Sequence, residues 1–185
     1  MKIVIYDPTD KKLSWIWKLG SWLYYMLGVV DLVIAEKTIQ ECFKKLPLAH
    51  EIEEIQFWCH GWPGYIVWNG EFKNASVFNT PLLKENGLLW FRSCSTMTGV
   101  PGRNFAEQVA TFQNGKVAAH TFNIGNWGLQ SGLRVHDPKN PKWDWPLDEG
   151  IAEGEPTKPL KLLWSGPFKP ATVTALHSSI PKDKA

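Results

Sequence analysis

Two short apolar runs, residues 55–61 (IQFWCHG) and 88–95 (LLWFRSCS), constrain this chain more than any other feature, because each ends on a chemically reactive side chain. Bounded runs of this length, rich in aromatic, leucine and isoleucine residues, read as buried strands of a sheet. His60 and Cys94 then stand where strands end. If the two strands are parallel neighbours, both residues open on the carboxyl edge, where open α/β sheets place their sites. A histidine beside a cysteine on that edge is a base beside a nucleophile.

The rest of the chain supplies the units such a sheet requires. Residues 2–6 read as a strand, and residues 7–10 as a turn into a tryptophan-bearing helix over 14–27. A second apolar run follows at 29–35, and residues 37–46 carry Ile39, Cys42, Phe43 and Leu46 at helical spacing before Pro47. The first reactive strand spans 51–59, and residues 61–64 make a turn. Residues 65–68 and 71–72 flank Asn69-Gly70, a strong hairpin signal, so an antiparallel hairpin is expected to add to the parallel sheet. A short connection over 81–86 leads to the second reactive strand at 87–93. A flexible loop of small residues is expected over 95–102. A helix over 103–112 with Phe105, Val109 and Phe112 inward comes next, then a strand over 116–120. Alternation of this kind predicts an α/β fold with a mostly parallel sheet flanked by helices. From residue 126 the pattern gives way to Gly, Pro, Trp and Asp, and only 160–164 and 171–176 resemble strands.

Length and composition narrow the class. At 185 residues and 44% hydrophobic content, one domain with one sizeable core is expected, with residues 1–125 as its α/β part and 126–185 as an irregular extension. A net charge of +2, with no basic run interleaved with aromatics, gives no nucleic-acid surface. Three widely spaced cysteines form neither a disulfide framework nor a zinc motif, which favours a reducing, cytoplasmic compartment. The five histidines show no metal-ligand spacing. Residues 1–7 lack the features of a signal peptide. Residues 13–34 are largely apolar and follow Lys11 and Lys12, but Lys18, Asp31, Gly20 and Gly28 interrupt them. Charges deep in a bilayer are costly, so an amphipathic helix followed by a strand is favoured there over membrane association.

The chemistry available to His60 and Cys94 is acyl transfer. An imidazole within reach of a thiol lowers its pKa and later protonates the leaving group. Gly61 leaves the backbone next to the histidine open to a reacting carbonyl, and the small-residue loop after Cys94 offers further amides for an oxyanion hole. Cys42 and Cys59 read as packed core thiols. His120 reads as a core histidine at the end of its run. Ser93, Ser95, His136 and Asp144 are candidate pocket-lining residues, Asp144 as the acid that would receive a basic substrate group.

An apolar strand closing on His60-Gly61, a glycine-bearing hairpin (Pro63-Gly64, then residues 65–70), an apolar strand closing on Cys94, the glycine-bearing segment 98–102 and a helix from Arg103 together resemble the caspase-like cysteine peptidases of clan CD. The resemblance is nearest to the bacterial CHAT-like branch and covers residues 1–125. It implies a caspase-like α/β/α sandwich and a cofactor-independent endopeptidase acting on a peptide or protein. His60 would be its general base, Cys94 its nucleophile, and the amides of Gly61 and Cys94 its oxyanion hole. Cys59 before the histidine, and Ser93 and Ser95 around the cysteine, depart from caspase surroundings, so aspartate specificity is not implied. The interval from His60 to Cys94 is also short of the roughly 50 residues found in caspases, leaving little room for a full helix between the two strands. Two other readings compete. One is a catalytically inactive module of the same fold, binding through tryptophans 15–22 and 143–145. The other is an α/β-hydrolase-type esterase with residues 59–64 as an oxyanion loop and a late histidine from His120, His136 or His177.

Overall fold

The computed structural model describes residues 1–123, 132–140, 142–152 and 155–159. Its centre is a six-stranded sheet made of β1 (Lys2–Tyr6), β2 (Leu32–Ile34), β3 (Glu54–Trp58), β7 (Leu88–Phe91), β8 (Lys116–His120) and β9 (Leu133–His136), in the order β2-β1-β3-β7-β8-β9. Every pairing is parallel except the last, in which β9 runs antiparallel to β8. The two reactive strands are therefore parallel neighbours, with Glu54 opposite Leu88 and Phe57 opposite Phe91.

Both faces of the sheet are covered. Ile3, Ile5, Ile55, Phe57, Leu89, Phe91, Val117 and Ala119 point into the main core, against Ile39 and Cys42 of α2 (Ile39–Lys44) and Phe105, Ala106, Val109 and Ala110 of α3 (Gly99–Gln113). Phe57, Phe78, Phe91 and Phe105 form a ring cluster at its centre, with centroid separations of 5.1–6.2 Å, the spacing at which edge-to-face and offset pairs attract. α1 (Ser14–Met26) covers the opposite face, where Tyr24 meets Val4, Val30 and Trp58. Gly20 lies so close to the Trp58 ring that a Cβ there would stand 2.8 Å from it.

Local chemistry accounts for several boundaries. Thr38 and Glu41 form a reciprocal capping box that starts α2. Asn69 and Gly70 both have positive φ, 52° and 74°, so they make the turn expected between β5 (Tyr65–Trp68) and β6 (Glu71–Lys73). The hairpin does not join the parallel sheet as expected. Residues 60–62 are a strand, β4 (His60–Trp62), and with β5 and β6 they form a separate three-stranded antiparallel sheet. The buried Asp7 carboxylate ties it down by accepting from the Asn69 amide at 2.9 Å. Only a 3-10 turn at Ala75–Phe78 intervenes before β7, as the short interval implies.

Other expectations need correction. Residues 95–98 are not an open surface loop: Ser95, Thr96, Met97 and Thr98 are buried, and the Ser95 and Met97 amides donate to the Phe122 and His120 carbonyls. α3 begins at Gly99, four residues early, because Pro101 sits in its first turn, where no N–H is needed. Phe112 is exposed, and the inward stripe is Phe105, Ala106, Val109, Ala110 and Gln113. The segment after residue 126 is not all irregular, since β9 completes the sheet and β10 (Ile151–Ala152) pairs with β11 (Glu155–Pro159). The strands expected at 160–164 and 171–176 lie outside the described residues.

Phe91→Ala removes the ring shared by three aromatic pairs, and should lower stability by about 3–5 kcal/mol in a urea titration.

Candidate active site

β3 and β7 deliver their following residues to the same edge, and one contact shows how closely the two meet. Gly61 packs on the chain after β7 so tightly that a Cβ would strike the Cys94 carbonyl oxygen and the Thr96 hydroxyl, and would stand 2.9 Å from the Ser93 Cβ. The neighbouring Gly64 amide donates to the Thr96 carbonyl at 3.0 Å. Thr96 fastens the seam: its hydroxyl lies 2.7 Å from that of Ser93 and 3.3 Å from the carbonyl oxygens of Cys94 and Tyr65. Ser95 turns the chain in the left-handed region, with φ 48°.

His60 is partly exposed and its Nε2 lies 3.1 Å from Oδ2 of Asp10. Asp10 also organises the start of the first crossover, because its Oδ1 accepts the amides of Lys12 and Leu13 just before α1 begins. Partial burial pushes the Asp10 carboxyl up, but the Leu13 and Lys12 amides and His60 outweigh that and hold it below its ordinary range. The Trp17 ring stands edge-on to the imidazole, centroids 5.4 Å apart, which limits its rotation. With Nε2 turned to a carboxylate, Nδ1 is the nitrogen left for proton exchange with a reacting group.

The three cysteines differ sharply. Burial pushes the Cys42 thiol up to about 12, and pushes Cys59 well above the ordinary thiol value, with Asp7 and Cys94 adding to the effect. Both are buried, whereas Cys94 is partly exposed, and none is in a disulfide. Cys94 is therefore the accessible thiol of the three, on the chain that leaves the strand paired with the one before His60.

The remaining pocket candidates are not brought together as expected. Ser93 and Ser95 are buried and their hydroxyls are engaged, that of Ser93 with Thr96 and that of Ser95 with Asn123, beyond β8, at 2.8 Å. His136 is not in irregular chain: it lies on β9 opposite Val117, toward the amino end of β8 and away from the Cys94 edge. It is buried and stacked on Trp143 at 4.3 Å, and burial lowers its pKa. Asp144 is exposed and pairs with Arg134 at 3.8 Å, rather than standing open for a basic substrate group. His120 is buried at the end of β8. His177 lies outside the described residues. Among the described residues no group of three or more His, Cys, Asp or Glu is placed to hold a metal ion.

Asp10 is the residue that the sequence reading missed. It looked like the last residue of a turn, yet an acidic residue between the carboxyl end of β1 and a helix stands on the same edge as His60 and Cys94. Compared with family models, with curated proteins and with solved structures, the chain matches none.

Asp10→Asn keeps an acceptor for the helix amides but removes the charge. Because the folded carboxyl titrates below its ordinary value of about 3.9, its contribution is full above that pH and is lost as pH falls through the folded pKa. Thermal melts of wild type and variant should therefore differ at pH 6–7 and converge as pH falls through the lowered folded pKa. Gly61→Ala should separate the two strand ends and lower stability by roughly 1–3 kcal/mol, read by urea titration.

Proposed function

We propose that this chain is a cysteine peptidase of the caspase-like type, with Asp10, His60 and Cys94 as its catalytic group. The observation that carries the reading is the seam between His60-Gly61 and Cys94, together with a carboxylate on the far nitrogen of the same histidine. Further support comes from the order of the pieces. A parallel strand, His-Gly, an antiparallel hairpin, the adjacent parallel strand, Cys, a tight turn and a helix follow one another as the caspase-like resemblance implies.

In this reading Nδ1 of His60 takes the Cys94 proton, and the Asp10 carboxylate stabilises the imidazolium. The thiolate attacks the peptide carbonyl carbon, a C–S bond forms, and the developing oxyanion is received by the Gly61 and Cys94 amides. The C–N bond then breaks as His60 returns the proton to the departing amine. Water, deprotonated by the same imidazole, attacks the thioester, releasing the acid and restoring the thiol. Every step uses side chains or amides of this chain together with water, and the groups involved lie on one edge of the sheet.

The esterase reading draws no support from His136, which lies toward the other end of its strand.

Alkylation by iodoacetamide across pH, read at each cysteine by mass spectrometry, tests the dyad. Cys94 should react near neutral pH while Cys42 and Cys59 are spared. His60→Ala should slow Cys94 at pH 7 by roughly tenfold or more, as the thiol returns toward its ordinary pKa of about 8.5, with Asp10→Asn between the two. Equal rates at Cys94 in wild type and His60→Ala would end the peptidase reading.

A further inference from the structure

α1 buries Trp17, Ser21 and Tyr24 on the sheet and turns a second stripe outward. Trp15, Leu19, Trp22 and Met26, at i, i+4, i+7 and i+11, share one helix face, and each is between 55% and 61% exposed. Leu23, Tyr25 and Leu27 extend this face and are exposed as well. A soluble helix ordinarily presents polar groups there; this one presents aromatic and aliphatic groups.

The charges on the helix and in the residues just before it are of one sign. Lys11 and Lys12 precede the helix, Lys18 flanks the stripe, and all three are exposed. No Asp or Glu occurs from residue 11 to residue 30. Of the bracketing acids, Asp10 meets His60, and Asp31 accepts the Lys2 amide at 2.7 Å while remaining exposed beside the groove next to α1. Beside the stripe, between α1 and β2, runs a groove of about 650 Å³ walled by Trp15, Leu19, Trp22 and Leu32, with Lys18 and Asp31 as its charged lining residues.

We infer that the outer face of α1 docks onto the surface of an anionic phospholipid bilayer. Trp and Tyr favour the boundary between headgroups and acyl chains, and lysines beside an apolar helix face attract anionic headgroups. Among the described residues no helix is long and apolar enough to cross a membrane, so α1 lies in the interface plane. The groove gives an acyl chain or a headgroup-proximal segment an apolar wall with Lys18 at its rim. Charge also argues against a second copy as the occupant: a twofold contact through this face would bring in a second set of lysines, and residues 11–30 of that copy offer no acid to pair with Lys11, Lys12 and Lys18. The inference stands independently of the peptidase reading, because it concerns the opposite face of α1 from Trp17.

The full-length protein should be sedimented with vesicles of phosphatidylcholine alone and of phosphatidylcholine with about 30% phosphatidylserine, a range in which surface potential is substantial. Binding is expected to the anionic vesicles, weakening with added salt. Trp15→Ser/Leu19→Ser/Trp22→Ser should lower the partition coefficient at least tenfold. Lys11→Glu/Lys12→Glu, which leaves every buried side chain of α1 in place, should lower it by roughly tenfold. Wild type remaining in the supernatant with the anionic vesicles overturns the proposal, and so does binding unchanged in both variants. A concentration-dependent dimer in analytical ultracentrifugation that the same substitutions abolish, without vesicle binding, overturns it in favour of a second copy.

Discussion

The site depends on one close contact between two backbones, Gly61 against the Cys94 carbonyl and Thr96. Parallel pairing of β3 with β7 brings both strands to the same edge, but pairing alone sets only their direction and register. The chain must then leave each strand without pushing the other away. Gly61 has no Cβ to intrude, and Ser95 turns back at positive φ, so the two segments lie against each other. Thr96 then joins them through the hydroxyl and carbonyl contacts of the seam. Packing sets how closely the backbone after His60 approaches the segment around Cys94, and buried hydrogen bonds hold that spacing.

The two sheet faces are built on different principles. The α2 and α3 side is a dry aromatic and aliphatic core. On the α1 side, β3 presents Glu54, Gln56 and Trp58, linked in series by hydrogen bonds of 2.7 and 3.1 Å. Burial raises the pKa of Glu54, with Lys2 only 3.8 Å away to offset it. Arg92 closes this layer: it donates to Gln56 and to the Tyr24 hydroxyl, and its guanidinium stands 4.6–5.6 Å from the Trp90, Trp58 and Tyr24 ring centroids. A guanidinium can serve both roles because it is planar and weakly hydrated. Arg92 lies two residues before Cys94, so the polar layer also fixes the chain as it leaves β7.

Much of this was legible in the sequence where the signal is local. The apolar runs marked β1, β3, β7 and β8, and Asn69-Gly70 marked a turn whose positive φ values only such residues adopt easily. Histidine and cysteine at strand ends stood out for the same reason. The features missed depend on tertiary contacts. Asp10 gains its meaning from a histidine fifty positions later. The loop after Cys94 contains small residues, which suggested flexibility, yet small residues are also what a tightly buried turn requires. His136 lay among Trp, Pro and Asp, where an antiparallel edge strand gives a weak alternating pattern that composition obscures. The tryptophans of α1 carried no sign of which would face inward until Gly20 and Ser21 were seen against the sheet.

α1 links the two proposals. Its first turn is held by Asp10, its inner face presents Trp17 to His60, and its outer face carries the exposed tryptophans. A helix is stiff over its length, so a force on the outer stripe moves the inner stripe with it. Asp10 and Trp17 both touch the imidazole, and in the proposed peptidase its orientation would decide whether His60 can exchange a proton with the thiol. Docking through Trp15 and Trp22 would therefore do more than locate the protein: by restraining α1 it would restrain the residues that aim the base. The coupling needs no second conformation of the sheet, because the same thirteen-residue helix forms both the boundary with the surroundings and one wall of the site.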